Sequence, residues 1–537
     1  MRTVSFPDLK SMLADGEELA LVDVREELIF SQGHLLWARS IPLSRLELTF
    51  ARLVPRRTTR IVLCDDEDGL ALRAWRILTQ AGYTDVAVLA QGVSAAAKQG
   101  AELFSGVNVP SKAFGEFVEH ENATPSISAA ELNDLIRGNA NMVVLDSRPL
   151  DEYRRISIPT ATNVPGAELV LRVHDLAPSP DTLVVVNCAG RTRSIIGAQS
   201  LINAGVPNPV VALRNGTMGF SLAGFTCEHG KEKRAPAPSG VGFAWAKAAA
   251  ERVARRFGIE HIDRDTLERW RGEADTRTLY LFDVRDPSEY VAGHVAGALS
   301  APGGQLVQAT DQYVGTLGAR IVLVDNATVR AVMTASWLRQ MGCKDVFVLA
   351  EPGTETATPC SPILGVPAPA EHSIDCAALA GLLQRDGATV VDLSPSPAYR
   401  KAHIPGAWFA VRSRLERALE RIQVRGALVL TSEDGVLASL AVADMSALTT
   451  QPVHYLAGGN AAWQAAGHPF SGEARMADDP VDAWVKPYER GGDVRVAMSE
   501  YLAWETDLLT RIARDGSCRF CVSLEQVASM SPHVPEL

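Results

Sequence analysis

Val144-Leu-Asp-Ser-Arg148 is a short apolar run that ends in an aspartate, and the same arrangement occurs three more times in the 537-residue chain. The other copies are Leu21-Val-Asp-Val-Arg25, Leu281-Phe-Asp-Val-Arg285 and Val391-Asp-Leu-Ser394. Short runs that are apolar throughout are typical of strands buried on both faces of a sheet. The chain therefore contains an internal repeat with four copies.

A second apolar run follows each aspartate at a nearly constant distance. These runs are Ile61–Cys64, Leu183–Cys188, Ile321–Asp325 and Leu428–Ser432, and they end 41, 42, 42 and 40 residues after the aspartate. A run with helical periodicity and a third short strand come next in every copy. Strands that alternate with helices favour an α/β fold with helices on both faces of a parallel sheet. We therefore predict four tandem α/β domains, each built on a doubly wound parallel sheet.

The repeat also sets the predicted domain boundaries. They are 1–108, 122–235, 255–366 and 370–475, followed by a C-terminal tail over 476–537. The proline- and glycine-rich stretch Ala235–Gly242 is predicted to link two tandem pairs of domains. The tail contains a predicted helix near Val494–Arg514, and we expect it to pack across the fourth domain or to form a dimer contact.

The composition excludes several classes of protein. Hydrophobic residues make up 47% of the chain, which excludes a mainly disordered protein. The formal net charge of −11 argues against a general binder of nucleic acid or of anionic membranes. No apolar run approaches the roughly 18 residues of a membrane span, and Met1–Asp8 lacks the apolar core of a signal peptide. We therefore expect a cytoplasmic protein, and its eight scattered cysteines are expected to be reduced thiols.

The loop after the second run of the second copy is Cys188-Ala-Gly-Arg-Thr-Arg-Ser194. The copies also share motifs such as Asp151-Glu152-Tyr153, Gly293-His294 and Ile404-Pro405-Gly406. In this order the motifs resemble the rhodanese sulfurtransferases over nearly the whole chain except the tail. In phosphatases with a Cys-x5-Arg loop an arginine stands six residues after the cysteine, and that position is Ser194 here.

The resemblance implies a function for this loop. In the rhodanese family the cysteine attacks a sulfane-sulfur donor such as thiosulfate, holds the sulfur as a persulfide and passes it to an acceptor such as cyanide or a thiol. The nucleophile here is then Cys188. The implied donor-binding residues are Ala189, Gly190, Arg191, Thr192, Arg193 and Ser194.

The charges of the loop are consistent with that chemistry. A nucleophilic sulfur must be a thiolate, and only a few per cent of free cysteine is ionised at pH 7. Backbone N–H groups before a helix N-terminus favour negative charge. Arg191 and Arg193 add two positive charges. We therefore expect the loop to favour the thiolate and to bind a doubly charged donor.

The other three loops depart from this pattern. Cys64 is taken as the equivalent of Cys188, but the acidic run Asp65–Asp68 follows it, which disfavours a thiolate. We therefore expect Cys64 to be a buried strand residue or an accessory thiol, and direct catalysis by Cys64 is the less favoured alternative. Asp325 stands at the cysteine's place in the third copy, and Thr431-Ser432 in the fourth has no thiol. We expect these domains to serve structure, docking or dimerisation.

The remaining cysteines have little supporting context. Cys518-Arg-Phe-Cys521 has the spacing of a metal or redox site, but a single pair is weak evidence for zinc. Cys227 is an alternative as a resolving thiol, and nothing supports a role for Cys343, Cys360 or Cys376. The sequence has no motif for a bound nucleotide, so we expect neither a metal nor a cofactor.

The sequence thus predicts an enzyme that moves sulfane sulfur from thiosulfate or a persulfide to a thiol or cyanide through Cys188. Two alternatives stay open. Because three of the four loops depart from the pattern, the protein could be a non-catalytic scaffold for protein partners. It could also be a sulfur-relay protein that prefers persulfide donors. The physiological donor and acceptor are open, as is the choice between a monomer and a homodimer.

Overall fold

A computed structural model describes residues 1–351, 353 and 362–523, so Cys360 lies outside the described residues. Four larger sheets are present in this part of the chain, one for each copy of the repeat, and every strand pairing within them is parallel. The predicted fold class of four α/β domains with parallel sheets is confirmed.

The first domain has its strands in the spatial order β1-β6-β5-β2-β4, and β3 and β7 form a separate antiparallel pair. The strands are β1 (Arg2–Val4), β2 (Leu19–Asp23), β3 (His34–Leu35), β4 (Arg39–Ser40), β5 (Arg60–Cys64), β6 (Val86–Leu89) and β7 (Leu103–Phe104). The helices are α1 (Phe6–Ala14), α2 (Glu27–Phe30), α3 (Leu46–Leu53), α4 (Leu70–Gln80) and α5 (Gly92–Lys98).

The second domain has the order β10-β9-β11-β12-β8 and is preceded by helix α6 (Val109–Asn122). Its strands are β8 (Ser126–Ile127), β9 (Met142–Asp146), β10 (Thr162–Asn163), β11 (Leu183–Asn187) and β12 (Val210–Leu213). Its helices are α7 (Ala129–Arg137), α8 (Leu150–Arg155), α9 (Leu169–Leu176), α10 (Thr192–Ala204) and α11 (Gly216–Leu222).

The third domain has the order β13-β17-β16-β14-β15 and follows helix α12 (Gly240–Phe257). Its strands are β13 (Glu260–Ile262), β14 (Leu279–Asp283), β15 (Leu299–Ser300), β16 (Arg320–Val324) and β17 (Val346–Leu349). Its helices are α13 (Arg264–Gly272), α14 (Pro287–Ala292), α15 (Gly303–Gln308) and α16 (Val329–Gln340).

The fourth domain has the order β18-β22-β21-β19-β20-β23. Its strands are β18 (Ser373–Ile374), β19 (Ala388–Asp392), β20 (Trp408–Phe409), β21 (Ala427–Thr431), β22 (Val453–Leu456) and β23 (Arg475–Met476). Its helices are α17 (Cys376–Gln384), α18 (Ser396–Lys401), α19 (Leu415–Leu419), α20 (Val436–Ser446) and α21 (Gly459–Ala465), and α22 (Val494–Asp515) follows the domain.

The central strands of the fourth domain show why their sequences are apolar throughout. Val390 and Val429 belong to one hydrophobic core, whereas Val391, Leu428 and Leu430 belong to another. Successive side chains of a strand point to opposite faces of the sheet. Both faces of this sheet are therefore covered, as expected for a doubly wound fold.

The chain forms two compact units, which pair the domains differently from the sequence prediction. One unit comprises Met1–Leu9, Ala20–Val107 and Ser361–Trp484, which contain the first and fourth domains. The other comprises Lys10–Leu19, Asn108–Cys360 and Val485–Leu537, which contain the second and third domains. The predicted grouping into tandem pairs is wrong.

The stretch Ala235–Gly242 does not separate two pairs of domains. The Ser239 side chain accepts a hydrogen bond from the Gly242 backbone N–H and caps the N-terminus of α12. Helix α12 packs against α9 and α16, inside the unit that holds the second and third domains. The proline-rich stretch therefore leads into a packed helix.

The unit of the first and fourth domains contains a buried ion pair between these domains. Two nitrogens of Arg412 each donate a hydrogen bond of 2.8 Å to the Glu47 carboxylate. Both side chains are buried. A buried carboxylate without its partner is costly, so this pair specifies the fourth domain as the partner of the first.

The C-terminal helix α22 packs on α6 and α11 of the second unit. Its Met498 and Leu502 lie in a hydrophobic cluster with Ala189 and Met218. The prediction that the tail packs across the fourth domain is therefore wrong for α22, whereas the start of the tail does contact that domain through Ala477 and Val481. Among the described residues, no helix is both long enough and apolar enough to cross a membrane.

Candidate active site

Cys188 lies at the carboxyl edge of the second sheet, between the end of β11 at Asn187 and the start of α10 at Thr192. This edge is where parallel α/β sheets bind their ligands. The residue is buried, with 2% of its surface exposed. Its Sγ lies 3.4 Å from Ser194 Oγ, and that hydroxyl donates a 2.8 Å hydrogen bond to the Arg191 carbonyl.

The backbone N–H groups after Cys188 are free. Within the described part of the chain, none of the N–H groups from Ala189 to Arg193 donates a hydrogen bond to another protein group. Consecutive free N–H groups at the start of a helix form a site for an anion. The loop Cys188–Ser194 can therefore hold a negatively charged sulfur without any change in protein hydrogen bonds.

Hydrogen bonds from the start of α11 hold the loop in place. The backbone N–H groups of Thr217 and Met218 donate to the carbonyls of Cys188 and Ala189, at 2.8 and 2.9 Å. Gly216 has a φ of +54°, and a Cβ there would lie 2.4 Å from the Cys188 carbonyl oxygen. Only glycine allows α11 to approach the loop so closely.

The guanidinium group of Arg191 is bound by α6. Its Nε and Nη2 each donate a 2.7 Å hydrogen bond to Glu116, and Nη2 also contacts Glu119. Burial alone would lower the pKa of Arg191, but the hydrogen bonds and charges of these two glutamates raise it. The positive charge that the sequence assigns to this position is therefore neutralised within the protein.

The guanidinium group of Arg193 is bound in a similar way. It donates to both oxygens of Glu152, at 3.2 and 2.8 Å, and to Gln305 Oε1 at 3.0 Å. Burial opposes the charge of Arg193, but the Glu152 carboxylate raises its pKa. Gln305 also lines a cavity of about 830 Å³ between the second and third domains. Donor binding by Arg191 and Arg193 stays a prediction.

Helix α22 lies against the same loop. A Cβ at Gly190 would lie 2.9 Å from Glu505 Oε2 and 3.6 Å from Tyr501 Cε1. Glu505 is 1% exposed, and its Oε1 accepts hydrogen bonds from Tyr501 and Thr192. Burial raises the pKa of the Glu505 carboxyl, although the charge of Lys112 opposes this. The tail therefore contributes directly to the surroundings of Cys188.

A model of the rhodanese-like domain matches residues 5–99, 128–223, 263–351 and 375–466. The chain belongs to the rhodanese family. The crystal structure of a thiosulfate sulfurtransferase from Pseudomonas aeruginosa is 49% identical, with a TM-score of 0.94, and the match covers 97% of this chain and 100% of that one. The Bacillus subtilis (strain 168) protein YqhL is 32% identical over 84 residues, which are 16% of this chain and 65% of YqhL. The chain thus spans about two thirds of that relative's length.

A glycine that approaches the loop closely shows which residue of the first rhodanese domain corresponds to Cys188. Gly92 and Gly459 both have positive φ, as Gly216 does, and their Cβ atoms would meet the carbonyls of Asp65 and Ser432 at 2.5 and 2.1 Å. Asp65 and Ser432 therefore stand at the position of Cys188. The predicted equivalence of Cys64 and Cys188 is wrong.

Cys64 is instead the last residue of β5. Its carbonyl accepts from the Val24 N–H, as the Asn187 carbonyl accepts from the Ser147 N–H. The Cys64 side chain is fully buried. Burial raises the pKa of this thiol well above its usual value, and the Asp23 charge raises it further. A role for Cys64 as an accessory thiol stays a prediction, and its environment opposes the thiolate.

A carboxylate fills the equivalent loop in two rhodanese domains. Asp65 accepts hydrogen bonds from the N–H groups of Glu67 and Ala71, at 3.0 and 2.9 Å. Asp325 accepts from those of Ala327 and Arg330, at 3.2 and 2.8 Å. In both loops the protein supplies its own anion where the loop of the second domain leaves its N–H groups free. In the fourth domain Ser432 Oγ accepts from the Ala438 N–H at 3.2 Å.

Asp325 is also part of a buried ionic cluster. Arg330, which is 2% exposed, bonds Asp325 at 2.9 Å, Glu168 at 2.5 Å and Glu289 at 2.6 Å. Glu168 belongs to the second rhodanese domain and the other residues to the third. The loop of the third domain thus connects two domains, and its central position is occupied by a structural carboxylate.

The other cysteines that the structure describes do not form a recognisable site. Among the residues that the structure describes, no group of three or more potential metal ligands is found. Cys518 and Cys521 are free thiols, and burial raises the pKa of both. Cys227 packs against the hydrophobic cluster that contains Tyr153 and Phe220. A resolving role for Cys227 stays a prediction.

Sequence reasoning missed most of the residues that surround the loop. Glu116 and Glu119 lie in α6, and Glu505 lies in α22, so all three are outside the repeated domains. Glu152 is the exception, because it lies in the recurring acidic motif of the second domain, and that motif is a sequence signal for a residue near the loop. The partner of Arg193 could have been sought among the acidic residues of that motif.

Proposed function

We propose that this protein is a sulfurtransferase in which Cys188 carries sulfane sulfur as a persulfide. The observation that best supports the proposal is the row of free N–H groups from Ala189 to Arg193 beside the Cys188 thiol. Within the described residues, the equivalent positions of the other domains hold Asp65, Asp325 and Ser432. The similarity to a thiosulfate sulfurtransferase over nearly the whole chain agrees with this function.

The proposed reaction has two steps. The Cys188 thiolate attacks the sulfane sulfur of thiosulfate, so a bond forms between Sγ and that sulfur. The sulfur–sulfur bond of thiosulfate breaks, and sulfite leaves with the bonding electron pair. An acceptor such as cyanide or a thiolate then attacks the outer sulfur, and the Sγ–sulfur bond breaks to regenerate the Cys188 thiolate. The persulfide is an anion, which the free N–H groups of residues 189–193 stabilise.

The first, third and fourth domains have structural roles in this proposal. An aspartate or serine cannot hold a persulfide, and the carboxylates of Asp65 and Asp325 already occupy their loops. Arg330 and Arg412 each form buried ion pairs with a neighbouring domain. The scaffold alternative thus describes three of the domains without excluding chemistry in the second.

Intact-mass measurement tests the function directly. After incubation with thiosulfate and removal of the excess, we expect the mass to rise by one sulfur atom, and peptide mapping should place that sulfur on Cys188. Treatment with cyanide should remove it and release thiocyanate. A chain that gains no sulfur from thiosulfate or from a small-molecule persulfide would support the scaffold alternative.

Alkylation should distinguish Cys188 from Cys64. Burial and nearby carboxylates disfavour the Cys64 thiolate, whereas the loop around Cys188 favours an anion. At pH 7 we expect iodoacetamide to label Cys188 first, as followed by peptide mapping over time. In urea both thiols should react at similar rates, which controls for peptide recovery. Faster labelling of Cys64 in the folded protein would reverse this ranking of the two thiols.

A further inference from the structure

Two cations share one carboxylate beside the Cys188 loop. Arg193 Nη2 lies 2.8 Å from Glu152 Oε2, and Lys486 Nζ lies 3.1 Å from Glu152 Oε1. These three side chains together have a net charge of +1. Lys486 lies beyond residue 466, where the match to the last rhodanese-like domain ends.

The neighbouring cations have their own partners. Arg148 pairs with Asp146 at 2.6 Å, Arg155 pairs with Glu489, and Arg191 pairs with Glu116 at 2.7 Å. The first two pairs contribute no excess charge, and Arg191 contributes no excess positive charge because it also contacts Glu119. The surplus positive charge therefore belongs to the group formed by Lys486, Arg193 and Glu152.

Lys486 is the accessible member of this group. Its side chain is 39% exposed, whereas that of Arg193 is 9% exposed. Burial lowers the pKa of Lys486, and the charges of Arg193 and Arg155 lower it further, although Glu152 opposes this. Glu152 thus compensates the positive charges around Lys486 only in part. An anion that binds there would stabilise the charged form of Lys486.

The segment that contains Lys486 is fixed to the Cys188 loop. Tyr488, two residues later, packs against the hydrophobic cluster formed by Ala189, Met218, Met498 and Leu502. Ala189 directly follows the nucleophile. Packing of Tyr488 therefore holds the segment that contains Lys486 beside the loop.

We propose that Lys486 binds the anionic end of the sulfur donor and so determines the preference for donors that have an oxoanion group, such as thiosulfate. This inference rests on the proposed sulfurtransferase function and deepens it. The loop N–H groups then hold the sulfur that is transferred, while Lys486 attracts the sulfonate that leaves as sulfite. The neutralised arginines Arg191 and Arg193 shape the loop.

The test compares Lys486→Gln, Lys486→Arg and the unchanged protein in steady-state transfer from thiosulfate to cyanide. A charge-assisted contact is worth roughly 10- to 100-fold in binding. We therefore expect Lys486→Gln to lower kcat/KM for thiosulfate by about 10-fold or more, mostly through KM. Lys486→Arg should keep most of the wild-type value. The kcat/KM for cyanide, which reports the second step, should not change.

Two controls make the result specific. Lys247→Gln removes an exposed lysine of α12 in the same unit and should leave KM for thiosulfate unchanged. Methanethiosulfonate has one negative charge where thiosulfate has two, so Lys486→Gln should affect this donor less. Higher ionic strength should weaken thiosulfate binding in the wild type more than in Lys486→Gln.

Failure of this inference can be separated from failure of the proposed function. If Lys486→Gln keeps the wild-type KM for thiosulfate while Cys188→Ser is inactive, the enzyme is a sulfurtransferase but Lys486 does not bind its donor. If Lys486→Arg is as impaired as Lys486→Gln, the lysine acts through its shape and the inference is wrong. If Cys188→Ser is fully active, the proposed function itself is wrong.

Discussion

Cys188→Ser is expected to reduce thiosulfate-to-cyanide transfer to below a few per cent of the wild-type rate while the fold is retained. A serine hydroxyl fits the space of the thiol, but oxygen cannot accept and release sulfane sulfur. The hydrogen bond between residue 188 and Ser194 Oγ can form with either side chain. Thiocyanate formation measures the activity, and circular dichroism with thermal unfolding checks the fold.

The matched control is Cys64→Ser. Cys64 is a thiol at the end of the equivalent strand, but it precedes the loop and is fully buried. We expect this variant to keep wild-type turnover and to gain one sulfur from thiosulfate. Loss of activity in Cys64→Ser with normal stability would mean that the first domain takes part in transfer. Normal activity in Cys188→Ser would contradict the assignment of the nucleophile.

Arg330→Met is expected to destabilise the protein far more than either cysteine substitution. Arg330 is buried and contacts three carboxylates, those of Asp325, Glu168 and Glu289. Removing one partner of a buried ion pair typically costs about 3–5 kcal/mol, because a charge is left buried without compensation. The loss should appear in the second and third domains, which share this cluster.

Hydrogen exchange followed by mass spectrometry is the suitable measurement, because a multidomain chain need not unfold in one step. Peptides that cover β16 and α9 should lose protection in Arg330→Met, while peptides of β21 in the fourth domain should not. Lys231→Ala is the control, since Lys231 forms an exposed pair with Glu228 in the second domain. Equal protection in both variants would show that the cluster contributes little to stability.

The fold could be predicted from the sequence because its determinants are local and repeated. Apolar runs such as Leu183–Asn187 are buried on both faces, so their composition alone identifies them as central strands. Four copies with similar spacing then exclude chance. Which domains pair with one another was not predictable in this way, because the pairing depends on contacts such as Glu47 with Arg412, far apart in the chain.

The predicted equivalence of Cys64 and Cys188 is wrong because it rests on residue type, a thiol at the end of an apolar run, and not on spacing. The aspartate and the loop position are 42 residues apart in the second and third copies. The same distance from Asp23 leads to Asp65, so spacing alone pointed to the correct residue. Glu116 and Lys486 could not be found by any such rule, because they enter the site from segments outside the repeat.

The pairing of the first and fourth domains has a consequence for the order of events during biosynthesis. Glu47 and Arg412 are 365 residues apart. At a translation rate of roughly 5–20 residues per second, the first domain waits about 20–70 s on the ribosome before the residues that neutralise Glu47 have been made. During that interval the nascent chain exposes a carboxylate and a contact surface that the finished protein covers. A nascent chain is therefore more exposed to aggregation and to capture by chaperones than the finished protein is.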